Sequence, residues 1–523
     1  MSIQETTPGV VFATEHTTEH TAEYSAEVAS FTGHVVQAAT GIPLFIGYTQ
    51  TATADGKSVV GQPISITSLE EYARIFGGAA QVEYDYVSLT QAYPPYAVNA
   101  ATPAFLLYPG LQMFFSNGGG TCYVLSLGTY AGVISNGSVF SKDAYTAALA
   151  GLAGLPEPDT LVLPDAVYLA LDDWASVSQT ALRLCSETQN LVYILDVLNG
   201  YLPSDGSSKD PITGGTGNGG FYKVAGLGED FNQYGVSYYP WLNTNVVSVS
   251  AIDYTWISAA SLPQFSADLA TEALELFALQ PADKLQTYLT TLVDTLTQAA
   301  DPATVRQRHL GLQAASPLYR QTMQNLATSV NLLPPSSAMA GVYTRNDATS
   351  GVFHAPANTS IIDAVSPAVM LDDSQQAKIN VPLNGLAVNA IRVFPNFGML
   401  IWGARTMAGN SDDWRYVNFK RIVIMLDKSI RTALKSYAFS ANDNSTWSAV
   451  TASINSFLTA QWKAGCLVGS SPAEAFGVIM GMGSSMTAED ILQGMMRVSI
   501  KVALTMPAEF IILEYEQQVL VPA

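Results

Sequence analysis

The chain has 523 residues, room for about three or four domains at roughly 150 residues each. Hydrophobic residues make up 48% of it and charged residues only 13%, and the formal net charge is 23 − 43 = −20. This balance speaks against a nucleic-acid partner, because phosphate binding needs a basic face. It leaves neutral surface of the kind that broad subunit contacts use.

Residues 1–30 are rich in Thr and Glu, hold no Lys or Arg, and read as an extended arm. GIPLFIGYT (41–49) reads as a short apolar strand. LEEYARIFG (69–77) reads as a short helix closed by Gly77. TCYVLSLG (121–128) is a predicted strand entered through the NGGG turn at 117–120. A βα rhythm follows: AYTAALAGLAGL helical, DTLVLPD (159–165) a strand, WASVSQTALRLCSET helical, NLVYILDV a strand. Strands alternating with helices imply a parallel sheet. Residues 199–220 form a loop by composition, and VSYYPWL (236–242) returns as a strand. Residues 264–330 read as helices rich in Ala, Leu and Gln, broken at Pro281 and Pro302. RYVNFKRIVIMLD (415–427) is predicted as a strand and KSIRTALKSYAF (428–439) as a helix. WSAVTASINSFLTAQWKAG (447–465) has helical spacing, with Asn444 or Ser445 as its cap and Gly465 as its stop. VSIKVAL and AEFIILEYE close the chain as strands on either side of Pro507.

No apolar run reaches the roughly 18 residues of a membrane span. The first ten residues lack the basic and apolar regions of a signal peptide. Cys122, Cys185 and Cys466 are odd in number and far apart, which suits buried, reduced thiols in a cytoplasmic chain.

Three motifs invite a catalytic reading and fail on context. HTTEH (16–20) matches a zinc pattern that needs His16 and His20 one turn apart on a helix with Glu19 as base, but its threonine flanks favour an extended arm. GTGNGG (215–220) has dinucleotide spacing through Gly215, Gly217 and Gly220, but a loop precedes it where a strand is required. ADGKS (54–58) ends like a phosphate-binding loop, with Thr51 where the first glycine belongs. No G-x-S-x-G or C-x-x-C occurs, and no metal or cofactor is expected. The rival class, an α/β enzyme or binding protein with an unrecognised site, rests on the βα rhythm at 121–197.

Charge placement is the unusual feature. Arg415, Lys420, Arg421, Lys428, Arg431 and Lys435 stand against Asp427 alone, a local balance of +6 − 1 = +5. The ends are acidic: Glu5, Glu15, Glu19, Glu23 and Glu27 at one, Glu509, Glu514 and Glu516 at the other, without a base. The basic run reads either as a solvated face or as a socket for acidic segments of a partner or neighbouring subunit.

TPGV (7–10), GIPLFIGYT (41–49), MFFSNGGG with its continuation to Gly128, LVYILDV (191–197), YYPWL (238–242), PPSSAMAGVYTRNDATSGVFHAPAN (334–358), NAIRVFPNFGMLIWGART (389–406), WRYVNFKRI (414–422), MTAEDILQG (486–494) and PAEFIILEYE (507–516) together resemble contractile tail sheath proteins. The likeness is to those of bacteriophages and, more closely, of extracellular contractile injection systems. It is weakest over 243–333, and GVYTRND departs from the family's usual GVYARVD.

The resemblance implies a mixed α/β, multi-domain fold. Its parts are an arm at 1–30, a middle α/β domain at 31–240, a variable helical lobe at 241–333, a sheath core at 334–506 and a C-terminal strand at 507–523. It implies six-fold rings stacked helically around an inner tube protein, with baseplate and terminal cap proteins as further partners. No nucleic acid and no membrane insertion are expected. Such a sheath assembles in the bacterial cytoplasm, waits in a metastable extended state and contracts without nucleotide hydrolysis, its arms adding strands to neighbouring sheets. The arginines of the 389–407 segment are expected to serve subunit contacts.

Overall fold

A computed structural model describes residues 33–89, 96–101, 104–131, 140–152, 154–214, 220–277, 283–382, 386–507 and 509. The arm at 1–30, its HTTEH motif, most of GTGNGG and residues 510–523 lie outside them.

In chain order the elements begin with β1 (Pro43–Thr49), β2 (Pro63–Ile66), α1 (Leu69–Phe76), β3 (Tyr84–Ser88), β4 (Tyr96–Ala100), α2 (Leu107–Ser116), β5 (Cys122–Thr129), α3 (Lys142–Ala150), β6 (Thr160–Val162), α4 (Leu171–Thr188), β7 (Val192–Asp196), β8 (Gly235–Tyr239) and β9 (Leu242–Thr244). A helical stretch follows: α5 (Leu262–Phe277), α6 (Asp283–Asp294), α7 (Pro302–Ala315) and α8 (Pro317–Val330). Then come β10 (Leu332–Leu333), α9 (Ser336–Ser350), β11 (Ala364–Pro367), α10 (Asp373–Asn380), β12 (Asn389–Phe394) and β13 (Gly398–Trp402). The last are α11 (Val417–Leu434), α12 (Asn444–Lys463), β14 (Phe476–Met480), α13 (Ala488–Leu492) and β15 (Val498–Val502).

Eight strands form one mixed sheet in the order β13-β12-β8-β7-β6-β1-β5-β2. Its centre is parallel, and β2 and β13 close it as antiparallel edges. The strands read as unbroken apolar runs because both faces are buried. Alternate side chains feed two separate cores: Leu44, Ile46, Tyr193 and Leu195 enter one, and Phe45, Val192, Ile194 and Val236 enter the other. Helices α3 and α4 cover the first face, while α1, α2 and α9 cover the second. Helices α2 and α9 cross closely because glycines meet at the contact. A Cβ on Gly341 would lie 2.4 Å from the Phe114 carbonyl oxygen, and one on Gly110 would lie 2.6 Å from Ser337 Oγ.

The sheet takes strands from both 31–240 and 334–506, so the two stretches share one fold unit. The helical stretch builds a third core together with the β3–β4 hairpin, through Tyr84, Tyr86 and Tyr96 against Phe265, Leu269, Tyr319 and Leu326. A fourth core holds α11, α12 and the β14–β15 hairpin. All three cysteines are buried and unpaired. Among the described residues no helix is long and apolar enough to cross a membrane.

One predicted element is corrected. Residues 415–427 form no strand; Val417–Leu434 is a single α-helix. The β-branched and aromatic content of VNFKRIVIM favours a strand locally, but Val423, Asp427 and Arg431 form an outward row at i, i+4 while Val417, Ile422, Met425 and Ile430 face the core. Packing of that stripe overrides propensity. Two other helix boundaries fall where expected. Gly77 closes α1 at φ 81°. Pro302 opens α7 behind an Asp301 cap. The cap of α12 is Asp443, not the expected Asn444 or Ser445. ADGKS is a hairpin turn with Asp55 and Gly56 at positive φ.

Candidate assembly interface

In open α/β sheets, ligands settle at the C-terminal strand ends, against helix N-termini. Here two buried carboxylates of the chain itself occupy those positions. Asp165, just past β6, accepts hydrogen bonds from the backbone N–H groups of Tyr48 (2.9 Å) and Leu106 (2.5 Å) at the start of α2. Asp196, ending β7, accepts from the N–H (2.9 Å) and hydroxyl (2.5 Å) of Ser336 at the start of α9. Burial pushes both up to about 7, against the lowering effect of those donors. The usual ligand crevice of an α/β enzyme is thus filled by structural acids.

Unsatisfied backbone lies elsewhere. Strands β14 and β15 pair with each other, Phe476 opposite Val502 and Met480 opposite Val498. Phe476, Val478, Met480, Val498, Ile500 and Val502 pack on the α11–α12 core. No third strand joins this pair among the described residues, so it presents two edges able to accept another strand.

Across the same module runs the segment 33–42, held by backbone groups. Val35 N–H donates to Ser453 Oγ (3.1 Å) and Ala38 N–H to Ser429 Oγ (2.8 Å). The Asp159 carboxylate accepts from the N–H groups of Gly41 (2.7 Å) and Ile42 (3.1 Å). Gly41 sits at φ +71°, with Thr344 Cα where a Cβ would approach to 2.8 Å.

The basic run divides by burial. Arg421 is inside the subunit, its Nη1 and Nη2 donating to the two Asp347 oxygens (2.8 and 2.6 Å) and Nη2 also reaching Asp159 at 3.5 Å. Its guanidinium lies over the Tyr343 ring at 4.7 Å. Burial alone would lower its pKa, but Asp347 and Asp159 outweigh it and raise it. Lys420 is also buried, its ammonium between the rings of Trp414 (3.6 Å) and Tyr234 (4.1 Å) and donating to Gln233 Oε1 at 2.5 Å. Burial pulls it down to about 7. Lys428 donates to the carbonyls of Glu157 (3.2 Å) and Pro158 (2.6 Å), and burial lowers it to about 8. Arg431 pairs with Asp427 at 3.0 Å and Arg415 with Asp412 at 3.0 Å. Lys435 is half-buried just past α11.

Glu509 reaches none of these. Its carboxylate accepts from Arg405 Nε (3.0 and 3.2 Å) and Nη2 (2.7 Å), Asn380 Nδ2 (2.8 Å) and Tyr416 OH (2.8 Å). Burial raises its pKa, but these donors prevail and lower it. Arg392 pairs with Asp373 at 2.7 Å. Both arginines of the 389–407 segment therefore have acidic partners within the chain. Glu514 and Glu516 lie outside the described residues. Asp159, Asp347 and Asn380 were not singled out from sequence. The local signal was weak, since their partners lie far away in sequence: Arg421 for Asp159 and Asp347, Glu509 for Asn380.

Residues 410–518 match the family model of the phage tail sheath C-terminal domain. No curated protein sequence matches the chain significantly. Three solved structures resemble it over nearly its whole length. The PVC sheath complex of an extracellular contractile injection system, in the contracted state, is 23% identical, covers 96% of this chain and 99% of its own, and has a TM-score of 0.57. The helical sheath of the anti-feeding prophage in its contracted state is 23% identical, covers 96% and 100%, and scores 0.57. A chain of that prophage's contracted baseplate is 22% identical, covers 94% and 97%, and scores 0.62.

Proposed function

We propose that this chain, whose residues 410–518 match the phage tail sheath C-terminal domain and whose fold resembles contractile sheath chains, is a sheath subunit that polymerises as six-fold rings stacked helically around an inner tube. The rings bind baseplate and cap proteins and contract from a metastable extended state to drive the tube through a target envelope. The particle assembles in the bacterial cytoplasm. The observation that carries this reading is the β14–β15 pair, whose two edges no third strand covers among the described residues, packed on the same core that the segment 33–42 crosses. Strands donated by neighbouring copies would satisfy those edges. Contacts of this head-to-tail kind repeat without closing and build helices. Arg415, Arg431 and Lys435, at the periphery of α11, would steer the acidic Glu514 and Glu516 of a neighbour, each exposed pair adding about 0.2–1 kcal/mol. Lys420 and Arg421 have no part in this, because the interior holds them.

The test is electron microscopy of the chain alone and co-expressed with its tube. Rings or tubes whose formation ignores ATP and chelators are expected. A monodisperse monomer that turns over a nucleotide sinks the reading.

A further inference from the structure

Helix α11 has a tyrosine at each end, and each tyrosine hydroxyl holds one end of the described chain. Tyr416, the N-cap residue, donates to Glu509 Oε2 at 2.8 Å. Tyr437, in the turn after the helix, donates to the Gly33 carbonyl at 2.8 Å. The helix between them has 18 residues, about 27 Å at 1.5 Å per residue.

The Glu509 clasp is a built one. Arg405 is 4% exposed, and Glu509 is its one acidic partner among the described residues. Arg405 is itself fixed: its N–H donates to Asn389 Oδ1 (2.7 Å) and its Nη1 to the Gly409 carbonyl (2.9 Å). The carboxylate thus joins the end of α10, the strap after β13 and the start of α11. Three charge-assisted hydrogen bonds from a rigid guanidinium fix its direction as well as its place.

We propose that these two clasps set where, how far apart and in which direction the terminal segments leave the subunit, and so set the register in which one copy of this chain engages the next. This rests on the reading that the terminal segments join neighbouring copies. Glu509 and the two tyrosines are then positioning residues for assembly, with α11 as the spacer between two departures.

The test uses the full chain with Glu509→Gln, Tyr416→Phe or Tyr437→Phe, and a chain ending after Glu509. Spin labels on cysteines placed at exposed Ala441 and Met506 report the geometry, since the three native cysteines are buried. Wild type is expected to give one narrow distance. Glu509→Gln and Tyr416→Phe should broaden it and raise the protein concentration needed for assembly about ten-fold, at an unchanged unfolding midpoint. Tyr437→Phe should raise that concentration without broadening this distance. A narrow distance and wild-type assembly in Glu509→Gln overturn the clasp. If that variant does not fold, the same result in both tyrosine variants overturns it. A chain ending after Glu509 that assembles normally overturns the underlying reading of the tails. If it fails to assemble while Glu509→Gln assembles normally, the clasp alone is lost.

Discussion

Arg421 and Lys420 are neighbours in sequence with opposite solutions to the same problem. Arg421 keeps its charge by facing Asp347 and Asp159. Removing a buried ion pair's cation leaves its acids uncompensated, a loss of about 3–5 kcal/mol. Arg421→Met is therefore expected to lower the denaturant midpoint steeply, and Arg421→Glu to prevent folding. Among the described residues Lys420 has no acid partner, only ring faces and an amide, and its pKa falls to about 7. Between that value and the ordinary lysine range the unfolded chain binds more protons than the folded one, so this residue's contribution to stability rises with pH there. Lys420→Met should raise the melting temperature at pH 7, and the difference should shrink as pH approaches 10. A difference independent of pH would mean that packing, not the charge, is responsible. Asp165 and Asp196 work in the other direction. With folded values near 7, they hold more protons folded than unfolded, and their contribution falls as pH rises from about 4 to 7.

Contacts between elements depend on smaller features. Helices α2 and α9 approach through Gly110 and Gly341, and the obstacle at Gly341 is backbone that cannot rotate away. Gly341→Ala should cost about 1–3 kcal/mol by overpacking, read as a shift in urea midpoint without a change in slope. Helix α11 was legible in its sequence period but not in its residue types. VNFKRIVIM has strand-forming side chains, and the 3.6 spacing of its core face decides only because α12 and the central sheet offer partners for that face. The helices of 264–330 and the strands of the parallel sheet need no such arbitration. The helical patterns are long, with capping residues such as Asp301 and Ser316 at their starts, and the strands are unbroken apolar runs.

On the scale of the molecule, the helical lobe has its own core, built with β3 and β4, and joins the rest through the paired strands β9 and β10 at its two ends. We propose that it faces outward, away from the tube. A short peptide inserted between Ala299 and Ala300, in an exposed turn, should leave assembly intact. Loss of assembly with a folded subunit would move the lobe inward. The candidate interface was only partly legible. Of the acidic residues near the C-terminus, Glu509 is among the described residues, and it meets Arg405 and Tyr416 rather than the basic run. Which charges remain for a neighbour depended on partners brought from residues 157–159, 233, 347 and 405, and no local pattern announces a contact over such separations.

The amino-acid sequence by itself determined the class of the molecule. Low charge, unbroken apolar strands alternating with helices, and the absence of an assembled catalytic motif follow from composition and period, which are local. It also determined the likeness to sheath proteins, through stretches spread along the chain. Tertiary structure alone decided that Lys420 and Arg421 are interior, that Glu509 closes on Arg405 and Tyr416, and that no third strand joins β14 and β15 among the described residues. Each depends on which distant segment arrives beside a residue, and burial then sets whether a charge faces water, an acid or an aromatic ring.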